Sequence, residues 1–373
     1  MSLRVLHLIT SLPVGGAEDV VKTVVTGLDP CRFTVVAATL EDLGVIGEEL
    51  HTTGYTVLNL GLPVKRTPFF RLVRAVRRLL KEERPDILHT HLYHPNLYGR
   101  LAALGLGLKG VVASVHNSYT QVKLHRCLWN FVLARATDRV LVSSPQVFQD
   151  VRTWDRVPAR KITVFPYGID LATLDPPLTR EEARQELGVS GFVLGMVGRL
   201  EEQKGHRYLV AALPELLRAI PELTVLLVGE GREEEALRTQ ARELRVAERL
   251  RFLGTRRDLP RLFRALDLLV HPSLWEGLPL TLLMAMGAGI PVVATRVSGV
   301  VEVVADGVNG RLVPAGDSQA LAGAILELYR QPRFREQLGG AARLTVATQY
   351  SQETMLRRLE ALYLEIMEGK TRG

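Results

Sequence analysis

What most constrains this chain is an alternation that runs through once and then starts again. Leu3–Ile9, Phe33–Ala38, Thr56–Leu60, Ile87–His91, Val111–Val115, Arg139–Val142 and Ile162–Phe165 are short apolar runs of strand length. Between most of them lie amphipathic stretches, among them Ala17–Leu28, Phe69–Lys81, Leu97–Leu104 and Leu124–Ala136. Strands alternating with helices call for a parallel sheet covered on both faces. After Asp175-Pro-Pro-Leu-Thr179 and a charged helix at Arg180–Leu187 the alternation resumes. Strands are expected at Phe192–Gly198, Leu223–Gly229, Leu250–Leu253, Leu268–His271, Pro291–Ala294 and Gly310–Val313. Their helices are expected at Tyr208–Ile220, Arg232–Leu244, Leu259–Ala265, Pro279–Ala288 and Ser318–Tyr329. The expected fold class is therefore α/β: two doubly wound, Rossmann-like parallel-sheet domains facing a cleft, divided near Tyr167–Pro177. A length of 373 residues suits two domains. In such sheets ligands bind outside the carboxyl ends of the strands.

Composition removes several classes. With 47% hydrophobic and 23% charged residues the chain is neither disordered nor collagen-like. Only Cys31 and Cys127 are present, so a disulfide scaffold is excluded and a reducing, cytoplasmic setting is expected. Met1 to Thr10 is too short and interrupted for a signal peptide. The uncharged stretch from Gly277 to Thr295 has the length of a membrane span. Pro279, Gly287, Gly289 and Pro291 divide it into a helix, a turn and a strand instead. Gly105-Leu-Gly107-Leu-Lys-Gly110 spells a dinucleotide fingerprint, but its order is helix, glycines, strand, the reverse of what that fingerprint needs.

Charge is concentrated. The formal net charge is +7, and the segment from Lys65 to Arg84 holds eight basic residues against Glu82 and Glu83, so it alone supplies +6. Arg71, Arg74, Arg78 and Lys81 share one face of the helix expected there, and Leu72, Val73, Val76, Leu79 and Leu80 fall largely on another. Such a helix suits an anionic membrane surface or the solvated back of a domain. No nucleic-acid module or aromatic platform accompanies the patch, so nucleic acid is not expected as a partner.

Several strand ends carry candidate chemistry. Pro13-Val-Gly15-Gly16-Ala17-Glu18 follows the first strand and opens a helix, where adjacent glycines and a helix N-terminus favour an anion; a tight turn would look the same. His89, His91 and His94 raise the question of a metal, but no nearby carboxylate or cysteine completes a site. His116 ends the fifth strand, where a histidine points into the cleft as a donor or proton carrier, or serves as a structural hydrogen-bonding group. In the second half, Arg199 and Lys204 stand five residues apart in the loop Gly198–Gly205, an arrangement suited to a diphosphate, although two solvated cations would look the same. Glu276 and Gly277 precede the helix at Pro279–Ala288, with the Gly277 N–H free to donate.

Taken in order, these pieces resemble the retaining glycosyltransferases of family 4, which have the GT-B fold, the group of the glycogen synthases and mannosyltransferases. The resemblance spans nearly the whole chain. It rests on Gly15-Gly16-Ala17-Glu18, Pro85-Asp-Ile-Leu-His-Thr-His91, Val115-His116, Val164-Phe-Pro-Tyr-Gly168-Ile-Asp170, Gly198-Arg199 with Lys204-Gly205, Leu227-Val-Gly229-Glu-Gly231, Phe252-Leu-Gly254, and Ser273 through Gly299. It implies a hexosyltransferase with an acceptor-side domain over 1–168, completed by a C-terminal helix in 352–373, and a nucleotide-sugar-binding domain over 169–351. Arg199 and Lys204 would hold the diphosphate, with Gly15 and Gly16 meeting it from across the cleft. His116 would sit at the donor sugar, Glu276 and the Gly277–Leu278 backbone would read sugar hydroxyls, and Gly254, Thr255 and Arg256 would border the base. The donor would be a nucleotide-diphosphate sugar, a UDP-sugar in preference to a GDP-sugar. The acceptor would be a glycan or a lipid-linked glycan, in envelope polysaccharide or glycolipid synthesis at the inner face of the membrane. No Asp-x-Asp occurs, so transfer without a metal or other cofactor is expected.

One position departs from the family pattern of a glutamate, seven residues and a second glutamate. Here it runs from Glu276 to Met284. The second glutamate would face the nucleotide ribose, and methionine cannot accept from its hydroxyls. A weakly active or non-catalytic relative is the alternative this implies. A nucleotide-sugar epimerase is a third reading, disfavoured by the Gly198–Gly205 loop together with the Glu276 segment.

Overall fold

In the computed structural model residues 2–116 and 124–371 are described, without the side chains of 370 and 371. Residues 372–373, the end of the expected C-terminal segment, lie outside them. The chain forms two compact units, Met1–Gly168 with Gln352–Gly373, and Ile169–Ser351.

In the first unit the described strands are β1 (Leu3–Ile9), β2 (Phe33–Thr39), β3 (Val57–Asn59), β4 (Ile87–His91), β5 (Gly110–Val115), β6 (Arg139–Val142) and β7 (Ile162–Val164). They form one sheet in the order β3-β2-β1-β4-β5-β6-β7, with every pairing parallel. The second unit contains β8 (Val193–Val197), β9 (Thr224–Val228), β10 (Leu250–Phe252), β11 (Leu268–His271), β12 (Val292–Thr295) and β13 (Arg311–Val313), ordered β10-β9-β8-β11-β12-β13 and again parallel. Both orders reverse direction beside the first strand of their unit, the doubly wound pattern that opens a crevice at the strands' carboxyl ends.

Helices cover the faces. The first unit has α1 (Gly16–Gly27), α2 (Gly44–Thr52), α3 (Phe69–Glu83), α4 (Tyr93–Ala103), α5 (Leu124–Leu133) and α6 (Pro145–Thr153). The second has α7 (Arg180–Leu187), α8 (His206–Ala219), α9 (Glu234–Glu243), α10 (Leu259–Ala265), α11 (Leu280–Gly287), α12 (Ser318–Arg330) and α13 (Pro332–Gln349). The last helix, α14 (Gln352–Thr371), belongs to the first unit. Tyr363 of α14 is fully buried, and Arg32 and Arg139 pair with Glu360 and Glu365. At Gly27 even a Cβ would come within 2.5 Å of Leu356, so α1 and α14 lie almost backbone to side chain.

The apolar runs behave as their spacing dictates. Val5, Leu6, Leu8 and Ile9 of β1 are sealed from water, as a strand covered on both faces must be. α3 turns Leu72, Val76, Leu79 and Leu80 inward and leaves Arg71, Arg74, Arg78 and Lys81 exposed. Arg77 leaves that basic face and donates to the carbonyls of Ala102 and Leu104 at the end of α4. α7 opens with a Thr179–Glu182 capping box and closes at Gly188, φ +61°. Its Arg180 and Arg184 both reach Asp267, at 2.6 Å each.

Three helices lie outside the sequence expectation: α2, α6 and α13. α2 carries Gly44 and Gly47, which depress helix propensity. α6 and α13 each start with a proline, which reads as a breaker but is favoured in a helix's first turn.

Candidate active site

In the second unit the candidate residues gather at the carboxyl edge of the sheet. The loop after β8 carries Arg199 and Lys204, and the segment after β11 carries Ser273, Glu276, Gly277 and Leu278. Gly205 joins the two: its φ is +70°, and a Cβ there would lie 2.1 Å from the Pro272 carbonyl oxygen. Only glycine permits that approach. The loop is pinned further by Leu274 N–H donating to the Gln203 carbonyl and the Gln203 amide donating to that of Trp275.

The result is a buried ionic cluster. Glu276 is 5% exposed. Its Oε1 accepts from Lys204 Nζ at 2.6 Å and Ser273 Oγ at 2.7 Å, and lies 3.1 Å from His271 Nε2. Burial alone would raise the Glu276 carboxyl, but the His271 hydrogen bond and the Lys204 ammonium outweigh it and hold it at about 2. Thr295 Oγ1 donates to the Ser273 carbonyl at 2.5 Å and fixes the segment from below. Arg199 is exposed and has no side-chain partner among the described residues. Lys204 is thus paired with Glu276, whereas Arg199 is not paired among the described residues.

Neighbouring strand ends complete this edge. The Gly229 N–H donates to the Gly254 carbonyl at 2.8 Å, and the Thr255 N–H to Glu230 Oε1 at 3.2 Å. Arg256 is clamped in a two-pronged pair with Asp258 at 2.7 and 2.5 Å, so its fork is committed within its own loop. The N–H groups of Gly277 and Leu278 make no hydrogen bond among the described residues. Met284 lies half-buried on α11 against the apolar cluster that holds Leu282, Leu283 and Met286.

In the first unit, Gly15 caps α1 with an extended backbone, φ −178°. A Cβ there would meet the Glu18 carboxylate at 2.4 Å, so the helix N-terminus is already faced by that carboxylate. Gly16 is the first residue of α1. His116 is 6% exposed, and both its ring nitrogens are engaged: Nδ1 with the Tyr167 hydroxyl at 2.6 Å, Nε2 with His91 Nδ1 at 3.2 Å. Burial lowers its pKa to about 4, so the ring is neutral near pH 7 and acts as a hydrogen-bonding group, not as a carrier of charge.

The metal question takes a different form from the one posed by sequence. His94 lies on α4, stacked on Tyr98, apart from the other two. His7 replaces it, and His7, His89 and His91 offer nitrogens within 4.8 Å of one another. Each of their ring nitrogens already has a hydrogen-bond partner.

Sequence reasoning passed over His7, Tyr167, His271 and Tyr363. His271 ends β11 just as His116 follows β5, so the strand-end signal was present for both. Tyr363 had no local signal, because its role depends on where α14 docks.

Residues 14–173 match the model for Glycosyltransferase Family 4, and residues 191–331 that for Glycosyl transferases group 1. The fold is that of the GT-B glycosyltransferases, and the chain belongs to glycosyltransferase family 4. It is 30% identical over 266 residues to the Escherichia coli UDP-Gal:alpha-D-GlcNAc-diphosphoundecaprenol alpha-1,3-galactosyltransferase, covering 68% of this chain and 69% of that one. It is 31% identical over 252 residues to the Rhizobium meliloti lipopolysaccharide core biosynthesis mannosyltransferase LpsB, covering 64% and 69%. The crystal structure of Anabaena Alr3699/HepE in complex with UDP and glucose aligns with a TM-score of 0.86 at 25% identity, over 97% of this chain and 100% of that one. No helix among the described residues is long and apolar enough to cross a membrane.

Proposed function

We propose that this glycosyltransferase moves a hexosyl group from a UDP-sugar to a hydroxyl of a glycan or lipid-linked acceptor, with retention and without a metal ion. The observation that carries this reading is the cluster at the carboxyl edge of the second sheet, where Lys204, Ser273 and His271 converge on Glu276 beside the unpaired Arg199. Cleaving the bond between the anomeric carbon and the phosphate oxygen leaves charge on the departing diphosphate. Preformed cations and amide donors stabilise that charge without reorganising. Arg199 and the remaining ammonium protons of Lys204 serve the diphosphate, Glu276 with the Gly277 and Leu278 N–H groups reads sugar hydroxyls, and Gly254 to Arg256 border the base. Gly15 and Gly16 contact the donor through their backbone, and His116 presents a neutral ring to the sugar. The acceptor hydroxyl attacks from the face the diphosphate leaves and passes its proton to a diphosphate oxygen. The UDP-Gal in the name of the Escherichia coli relative and the UDP and glucose of the HepE complex support this choice of donor.

A thermal-shift panel of nucleotide sugars tests it, since a ligand that binds only the folded state raises stability. UDP-hexoses should raise the melting temperature and GDP-hexoses should not.

Met284 favours a second reading, a weakly active or non-catalytic relative, because an apolar side chain stands where the family pattern has a carboxylate. Slow release of UDP from a UDP-hexose without acceptor separates the two. The exposed cations of α3 support a further element of the proposal, peripheral attachment of the first unit to an anionic membrane face.

A further inference from the structure

Seven buried side chains of the first unit are joined end to end. Tyr167 Oη lies 2.6 Å from His116 Nδ1, and His116 Nε2 lies 3.2 Å from His91 Nδ1. His91 Nε2 lies 2.9 Å from His7 Nδ1, and His7 Nε2 lies 3.3 Å from the Tyr363 hydroxyl. That hydroxyl lies 2.6 Å from His89 Nδ1, and His89 Nε2 lies 2.8 Å from Ser114 Oγ. All seven are buried, and burial holds the four imidazoles neutral near pH 7.

A neutral imidazole has one N–H and one lone pair. Each link in such a row needs a single proton, and each interior group brings one. The row closes only when an end hydroxyl also points inward and all protons point the same way. Directed from Tyr167 to Ser114, all four histidines carry the proton on Nε2. Directed the other way, all four carry it on Nδ1. The remaining arrangement has His7 and His89 both donating to Tyr363, which leaves the phenolic proton buried without an acceptor and is costly. The single Tyr363 proton therefore ties the two halves of the row together.

We propose that Tyr363, on the C-terminal helix, is a positioning residue that makes His116 take the same tautomer as His7, His89 and His91. Its effect on catalysis rests on the role given to His116 above, whereas its effect on the tautomers does not. Both His116 nitrogens are taken up within the row, so the tautomer bears on the sugar through how the ring is held, and mis-setting a histidine oriented by a neighbour is costly in other enzymes.

Long-range ¹H–¹⁵N correlation spectra of the full chain, with its histidines ¹⁵N-labelled and assigned by single substitutions, test this directly. His7, His89, His91 and His116 should share one neutral tautomer. Tyr363→Phe keeps the ring and removes only the hydroxyl. It should release His116 into a mixture of tautomers and lower kcat about tenfold or more, with the donor KM unchanged. Tyr167→Phe removes the acceptor at His116 Nδ1, so all four rings should then carry the proton on Nε2, an arm that remains if the first variant does not fold. A mixed set of tautomers in the wild type overturns the row. An unchanged His116 spectrum in Tyr363→Phe overturns the positioning role, whether or not kcat falls. The spectra need no turnover, so failure of the transferase reading leaves this test standing.

Discussion

Lys204 Nζ and Glu276 Oε1 lie 2.6 Å apart although 72 residues separate them in the chain. Both side chains are largely sealed from water. Removing one partner of such a pair strands the other charge, which costs far more than the pair itself contributes. Glu276→Gln should therefore lower folding stability by about 3–5 kcal/mol. It should also lower kcat/KM about a hundredfold, because the carboxylate that reads a sugar hydroxyl is lost and Lys204 is no longer held in place. Urea unfolding and initial rates check both. Wild-type stability in this variant would mean that the pair is incidental to the fold.

Acid should weaken this protein earlier than its carboxylates titrate. Burial lowers His7 to about 3 and His116 to about 4, and burial with the Lys204 and His271 charges lowers His206 to about 3. Unfolded histidines titrate near 6.5. Below that pH the unfolded state binds more protons than the folded one, so stability falls as pH falls. Each such ring should cost about 2 kcal/mol by pH 5. Glu276 acts only lower, because its folded value of about 2 takes effect below the usual carboxylate range. Urea midpoints between pH 7.5 and 5 should drop steadily, and a flat profile would contradict the burial of these rings.

Met284 offers a gain-of-function test. Met284→Glu restores the family pattern at a half-buried position, and each charge-assisted bond to a ribose hydroxyl contributes about 1.5–3 kcal/mol. Affinity for a UDP-sugar should rise about tenfold or more, at a modest stability cost from its apolar neighbours. If affinity does not rise, the missing carboxylate does not limit donor binding.

The basic face of α3 can be tested without touching the site. Arg71, Arg74 and Arg78 are exposed and line, with Leu60, Leu62 and Leu79, a groove of about 330 Å³. Each basic residue at an anionic surface contributes about 1 kcal/mol. Reversing all three to glutamate should abolish sedimentation with anionic vesicles while UDP release in solution continues. Equal binding to neutral vesicles, or none to either, would remove the membrane from the account.

Much of this architecture was legible because its signals are local. The apolar run Leu268–His271 and its termini are set by side chains within a few residues, and the observed strand has the same ends. α6 and α13 were not anticipated, and each opens on a proline, Pro145 and Pro332, a residue that breaks a helix interior but starts a helix well. At the site, Arg199, Lys204 and Glu276 were visible as strand-end residues, but their division of labour was not. That Lys204 is spent partly on Glu276 while Arg199 stays free depends on the Gly205 approach to Pro272, a contact across 67 residues of sequence (272 − 205). His116 was visible as a strand-end histidine, whereas the partners of its two nitrogens come from β4 and from the segment after β7.

The central claim is that the carboxyl edge of the second sheet holds the donor's diphosphate. Calorimetric titration of UDP into the wild type and into Arg199→Ala tests it most directly. Arg199 is exposed and has no side-chain partner among the described residues, so its loss should leave stability within about 0.5 kcal/mol of wild type. The account predicts one UDP site in the wild type and an affinity lower by about tenfold or more in the variant, the loss of a charge-assisted phosphate contact. UDP binding of equal strength in both proteins, or no binding to the wild type, would contradict it.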